Sequence, residues 1–221
     1  MPICTYLDRV IFFAHIPKTG GTSVEAYLQQ KGEISLFGEP KIGGVHLQHL
    51  ARDTVAGLPD LPQFDQCFGV VRDPVSRMVS EFMWRSVPLK PLQRLARPWD
   101  GPKARRIKVR GKKHSLTFAE WVPLALDEAR ENPNMRDNHM LAQCAFLAKG
   151  DWLFLFENGL QPVFRWIDEN TDGRASPSVK RLKASHVTKP TVDDASREQI
   201  EQFYQQDVAL HQSVVAGRTT F

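Results

Sequence analysis

Three stretches of this sequence carry side chains that can grip an anion or move a proton. His15-Ile16-Pro17-Lys18-Thr19-Gly20-Gly21-Thr22-Ser23 packs a cation, two glycines and three hydroxyls together. Lys18 brings a full positive charge. Gly20 and Gly21 let backbone N–H groups approach an oxyanion closely, and Thr19, Thr22 and Ser23 offer hydroxyl donors. In Val70-Val71-Arg72-Asp73-Pro74-Val75-Ser76-Arg77-Met78-Val79-Ser80, Arg72 precedes Ser80 by two helical turns. A guanidinium fork and a hydroxyl that converge there can hold a second phosphate, although Arg72 can also pair with Asp73 or a helix cap. Gly44-Val45-His46-Leu47-Gln48-His49-Leu50 offers two imidazoles, the side chain best suited to proton transfer near neutral pH.

Particular elements must position these groups. Val10–Ala14 is a short run of β-formers and reads as a buried strand. A glycine turn follows, then a helix from Ser23 to Leu28 that Thr22 or Ser23 can cap. Backbone N–H groups at such a strand–loop–helix junction bind phosphate-like anions. Cys67–Val71 reads as a second buried strand, which places Arg72 at its C-terminal end, where open α/β sheets take ligands. Asp73-Pro74 starts the next helix, with Asp as N-cap and Pro in the first turn. Residues 31–44 read as a loop and 45–56 as a short helix. Four prolines between 88 and 102 break periodicity, so residues 85–113 read as a flexible basic insertion. Thr117-Phe118-Ala119-Glu120 is a capping box opening a helix towards Arg130. Residues 138–148 suggest another helix. Trp152–Phe156 is a third strand, followed by helices over about 160–169 and 193–214. The alternation predicts a single α/β domain over residues 1–221, a three-layer core with a central, mostly parallel sheet flanked by helices.

The first loop is P-loop-like without being a nucleotide-triphosphatase loop, because Lys18 precedes the glycine pair instead of following one. Taken together, the two anion motifs resemble sulfotransferases that use 3′-phosphoadenosine 5′-phosphosulfate (PAPS). The likeness is to the carbohydrate and heparan sulfate O-sulfotransferase branch, in which Pro-Lys-Thr-Gly-Gly-Thr follows the first strand. It spans about Val10 to His211. The resemblance implies that Pro17, Lys18, Thr19, Gly20, Gly21, Thr22 and Ser23 hold the 5′-phosphosulfate. It implies that Arg72 and Ser80, within an R-[DN]-P-x-x-R-x-x-S element, hold the 3′-phosphate. Arg77 fits the same element but suits a helix surface equally well. In this branch the catalytic histidine lies between the two motifs in a G-x-H context, which makes His46 the expected base, with His49 as the alternative. Glu39 is the first carboxylate to consider, since other branches use Glu. Lys18 is expected to stabilise charge on the sulfuryl oxygens. Lys183, His186 and Thr188 fall where relatives place a loop over the nucleotide. Asn138–Gln143 also resembles a family segment.

The resemblance implies transfer of a sulfuryl group to an acceptor hydroxyl, with adenosine 3′,5′-bisphosphate as product and no metal. A carbohydrate is the first acceptor to consider. Two other classes stay open: a P-loop kinase-like phosphotransferase for small molecules, and a non-catalytic binder of anionic polymers.

Composition narrows the rest. The net charge of +4 and the pI near 9.0 come from one segment. Seven basic residues and no acidic ones lie between Lys103 and Lys113; without them, 22 basic face 25 acidic residues. The chain is therefore not basic throughout, as a general nucleic-acid binder often is. The segment is either a solvated loop or a contact surface for an anionic acceptor. Trp84, Trp99 and Trp121 can stack on a sugar, although packing is the commoner fate of tryptophan. The three cysteines are far apart and form no CxxC pair, so a zinc site or disulfide framework is not expected. The apolar runs fall far short of the roughly 20 residues a membrane span needs. The eukaryotic relatives are typically Golgi-anchored, so the expectation here is a soluble, cytoplasmic, bacterial enzyme.

Overall fold

A computed structural model of the chain describes residues 1–90, 104–176 and 189–221. The main sheet has five strands. β1 (Ile3–Tyr6) and β2 (Arg9–Ala14) form a hairpin, and β3 (Glu33–Ser35) pairs with the outer side of β1. Two tiny strands, β4 (Lys41–Ile42) and β5 (Val45–His46), form a separate ribbon. β6 (Gln66–Val71) joins the main sheet beside β2. β7 (Val87–Pro88), β8 (Arg105–Val109) and β9 (Lys112–Leu116) build a third, antiparallel sheet. β10 (Trp152–Leu155) completes the main sheet, whose order is β10-β6-β2-β1-β3. Both β2–β6 and β6–β10 are parallel, and only β1 runs against the other four strands.

The α-helices among the described residues are α1 (Gly21–Leu28), α2 (Arg52–Ala56), α3 (Pro74–Arg85), α4 (Phe118–Glu131), α5 (Gln161–Glu169), α6 (Asp194–Phe203) and α7 (Gln205–Val215). Strand residues alternate between two buried layers, as parallel strands covered on both faces must. Ile11 and Phe13 of β2, with Phe68 and Val70 of β6, pack under Val24, Tyr27 and Leu28 of α1 and Val163, Phe164 and Ile167 of α5. Phe12 and Ala14, with Val71 and Leu153, face Leu50, Val55, Phe146 and Leu210 on the other side. A further core joins α3, α4 and α6 around Phe82, Trp121 and Ile200.

From β2 the chain passes through α1 over β1 to the edge strand β3, and β6 later adds to the opposite side of β2. The strand order thus switches direction between β2 and β6, and the C-terminal ends of such a switch point are where open α/β sheets take ligands.

Several sequence expectations change. α1 begins at Gly21 with Gly20 as its N-cap, not at Thr22 or Ser23. Residues 31–44 contain β3 and β4, too short to show periodicity in the sequence. The expected helix at 45–56 divides into β5, a 3-10 turn (Leu47–His49) and α2. Residues 138–148 hold a 3-10 turn at Gln143–Phe146 where an α-helix is expected. The C-terminal helix breaks at Tyr204, whose hydroxyl donates to the Met140 carbonyl at 2.6 Å.

The basic insertion is in part an ordered hairpin. Ile107 and Val109 face the core while Arg106 and Lys108 face out, the period-2 alternation of a half-buried strand. Arg110 and Gly111 take the two positive φ values, 47° and 76°, of a two-residue hairpin turn. Residues 91–103, including Trp99, lie outside the described residues.

Candidate active site

The loop from Ile16 to Gly21 is wound tightly at the end of β2. Lys18 sits in the left-handed region at φ 72° and Gly20 at φ 92°. The strain at Lys18 costs of order 1–3 kcal/mol and must be held by its surroundings. Two contacts hold it. The buried Thr19 donates its hydroxyl proton to the Ile16 carbonyl at 2.8 Å, and Arg72 donates from NH1 to the Lys18 carbonyl at 2.9 Å. Thr19 therefore shapes the loop with its side chain, while Thr22 is the exposed hydroxyl and Ser23 is buried. No side-chain oxygen caps α1. The positive end of that helix, with its first-turn N–H groups, forms the floor of the loop.

Gly21 is needed for a second reason. A β-carbon there would lie 1.9 Å from Nε2 of His15. The His15 ring is buried against the start of α1, its Nδ1 bound to Glu25 Oε1 at 2.5 Å. It thus joins the end of β2 to the first turns of α1.

Arg72 leaves β6 with its backbone fixed on both sides by one amide. Arg72 N donates to Gln143 Oε1 at 2.9 Å, and Gln143 Nε2 donates to Arg72 O at 2.8 Å. Its guanidinium stacks over Phe156, 4.4 Å from the ring centre. Ser80 is half-buried on α3, one turn beyond Arg77. Asp73 caps α3 by accepting from Ser76 N at 2.7 Å, as its spacing predicts.

Arg77 proves to be a buried keystone and not a surface residue. Its Nε donates to the Pro17 carbonyl at 3.3 Å, and its NH2 donates to the carbonyls of His139 at 2.9 Å and Leu141 at 2.6 Å. Asp207, from α7, lies 3.6 Å from its NH1. One side chain thus ties the anion loop to the segment that carries His139.

That segment brings a carboxylate no sequence pattern singles out. Arg136, Asp137 and Asn138 are all left-handed, at φ 54°, 63° and 59°. Asn138 anchors the turn by donating from Nδ2 to the His49 carbonyl at 2.8 Å. Asp137 Oδ1 accepts from His46 N at 2.7 Å. Its Oδ2 meets Nδ1 of His46 at 2.9 Å and Nδ1 of His49 at 2.6 Å. Burial pushes the Asp137 carboxyl up, but hydrogen bonds from His49 and the His46 backbone outweigh it and hold it well below the usual carboxylate range. An ionised carboxylate only accepts, so both imidazoles carry a proton on Nδ1 and turn Nε2 away from Asp137.

The two histidines differ in surroundings. His49 is buried edge-on between His15, at 4.7 Å between ring centres, and His139, at 5.1 Å. Burial pushes its pKa down to about 3. His46 is about one-third exposed, and its Nε2 lies 3.4 Å from the exposed Glu39 carboxylate. Burial also lowers His139, whose Nδ1 is bound to Glu81 at 2.7 Å. Trp84 is 54% exposed, with the Lys18 ammonium 4.5 Å from its ring centre. Trp121 is fully buried in the α3–α4 core, so it packs and binds no sugar. Lys183, His186 and Thr188 lie outside the described residues.

A phosphate-like loop and an arginine at adjacent strand ends, joined by one hydrogen bond, are thus set beside a carboxylate-held pair of imidazoles. The family model described as the sulfotransferase family matches residues 3–212. The chain belongs to the sulfotransferase family. No curated protein and no solved structure matches it. Membership supports sulfuryl transfer in general and, with it, a hydroxyl acceptor. The matched span takes in every site residue named above. No helix among the described residues is long and apolar enough to cross a membrane.

Proposed function

We propose that this protein transfers a sulfuryl group from PAPS to a hydroxyl on a carbohydrate. The observation that carries the reading is the hydrogen bond from Arg72 to the Lys18 carbonyl. It joins two anion-binding elements at the ends of neighbouring parallel strands, which suits a donor with two separated anionic ends.

The residues present fit such a donor. Gly21 leaves backbone open where any side chain would meet His15, α1 has no side-chain cap, and Lys18 supplies a cation. Pro17, Lys18, Thr19, Gly20, Gly21, Thr22 and Ser23 would form the cradle for the phosphosulfate, and Arg72 with Ser80 the seat of the 3′-phosphate. The donor supplies an activated sulfuryl group and leaves as adenosine 3′,5′-bisphosphate.

In this reading the chain's own residues position and polarise. Lys18 and the helix N-terminus stabilise charge that grows on the sulfuryl and departing oxygens, and fixed dipoles do this without reorganisation cost. His46 is the base. Asp137 holds it as the Nδ1–H tautomer, and its exposure lets an acceptor hydroxyl reach Nε2. As the acceptor oxygen bonds to sulfur and the sulfur–oxygen bond to phosphate breaks, the hydroxyl proton passes to that nitrogen. Glu39 then sits close enough to stabilise the imidazolium. Trp84 offers a flat apolar face beside Lys18 for a sugar ring, and the β8–β9 hairpin offers cations to an anionic acceptor. The free cysteines Cys4, Cys67 and Cys144 suit a reducing cytoplasm.

Calorimetry with adenosine 3′,5′-bisphosphate, and turnover with PAPS and a panel of hydroxyl acceptors, test this. Wild type should bind and turn over, Lys18→Ala should lose both, and His46→Ala should bind but turn over at least 100-fold more slowly, the usual scale for a lost general base. ATP binding in place of the bisphosphate would favour a kinase-like activity. Retention on heparin with no nucleotide affinity would favour a polymer binder. Full turnover by His46→Ala would move the base to His49 or Glu39.

A further inference from the structure

We propose that His49, Asp137 and His139 form a binding site for a divalent transition-metal ion of the zinc, cobalt or nickel type. One donor atom from each side chain can be chosen so that all three lie within 4.8 Å of one another. Ligands around a tetrahedral zinc at about 2.1 Å stand roughly 3.4 Å apart, so the widest gap must close by only about 1.4 Å. Two imidazoles and one carboxylate select such metals over magnesium and calcium, which demand oxygen.

The surroundings are those of a held site. Glu81, almost wholly buried, binds His139 Nδ1 and leaves Nε2 as that ring's ligand atom. A carboxylate behind a histidine is the usual second support of a metal ligand, fixing ring orientation and raising basicity. Asp137 is fixed by three consecutive left-handed residues and by the Asn138–His49 bond, an outlier that its surroundings over-determine. His15, backed by Glu25, walls the cluster by packing edge-on against His49. The sequence hides the set because 88 residues separate His49 from Asp137.

A metal here would take the oxygen that orients His46. If His46 is the base proposed above, zinc is then an inhibitor and not a cofactor. The binding test does not depend on that reading. Metal-free protein is titrated with Zn²⁺ by calorimetry and with Co²⁺ by its visible ligand-field absorption. One ion per chain and a tetrahedral cobalt spectrum are expected. Glu81→Gln should weaken binding 10- to 100-fold, as loss of an outer-shell partner does. Asp137→Asn with His139→Ala should abolish the spectrum, and circular dichroism confirms that each variant is folded. Zinc binding as tight to the double variant as to wild type, or a cobalt spectrum unchanged from the aqueous ion, would overturn the proposal. Zinc binding without inhibition of turnover would instead count against His46 as the base.

Discussion

Gly21→Ala isolates the contact between α1 and His15. Gly21 is not one of the positive-φ glycines, so alanine fits its backbone and only space is at issue. The added carbon would meet His15 Nε2 at 1.9 Å and Cδ2 at 2.1 Å. Comfortable contact begins near 3.5 Å, so the ring must retreat by roughly 1.5 Å. It has little room, with Glu25 at 2.5 Å from Nδ1 and His49 edge-on at 4.7 Å. Overpacking of this kind costs about 1–3 kcal/mol. Replacing a helical glycine returns at most about 1 kcal/mol, and less in a first turn. A net loss of about 1–2 kcal/mol is expected, which lowers the melting temperature by about 2–8 °C for a domain of this size. Urea unfolding of wild type, Gly21→Ala, His15→Ala and the double variant forms the measuring cycle. The double variant should be more stable than the sum of the singles predicts, by about 1 kcal/mol, because removing the ring makes room for the methyl. Additive effects, or a Gly21→Ala protein as stable as wild type, would refute the claim that His15 is what excludes a side chain at this position.

Arg77→Leu should destabilise the protein by about 3–5 kcal/mol, the scale of breaking a buried ionic pair, because it leaves buried Asp207 without its cation and three backbone carbonyls without their donor. Chemical denaturation checks this, and a loss below about 1 kcal/mol would return Arg77 to the role of a surface residue. Stability should also fall with acid through His49. Its folded pKa of about 3 lies below the ordinary 6.5, so the unfolded chain takes up a proton first as pH falls. The contribution is full above pH 6.5 and declines towards pH 3 at a slope of up to about 1.4 kcal/mol per unit. His49→Gln should flatten that slope in urea titrations across the window.

The parts of the site that lie next to one another in the chain were legible in the sequence. Lys18 falls between a strand and a helix that the glycine pair opens, and Asp73-Pro74 opens α3 where its spacing says it should. The capping box at Thr117 starts α4, and the helix runs on through Pro123 in its interior, held by the buried face of Phe118, Trp121, Val122 and Ala125. Contacts made across the chain were not legible. Asp137 reaches His46 and His49 from a left-handed turn whose residues are neither glycine nor a known motif. Arg77 looks the same in sequence whether it faces water or carbonyls, and only the packing of Pro17, the 139–141 segment and α7 around it decides. The β8–β9 hairpin was masked by its charge, since six cations draw attention from the two alternating residues, Ile107 and Val109, that seat it.

Gln143 does for Arg72 what a neighbouring strand would do, and Asp207 holds Gln143 in turn by accepting from the N–H groups of Gln143 at 2.7 Å and Cys144 at 3.0 Å. The same Asp207 stands beside Arg77, which holds the Pro17 carbonyl. Both halves of the proposed donor site therefore hang from one carboxylate in α7, some 135 to 190 residues further along the chain. A nascent chain carries these two loops early but cannot set them until α7 has left the ribosome and docked. If the proposed function holds, competence to bind the donor is in this sense a late event, and nucleotide affinity becomes a readout of whether α7 has docked.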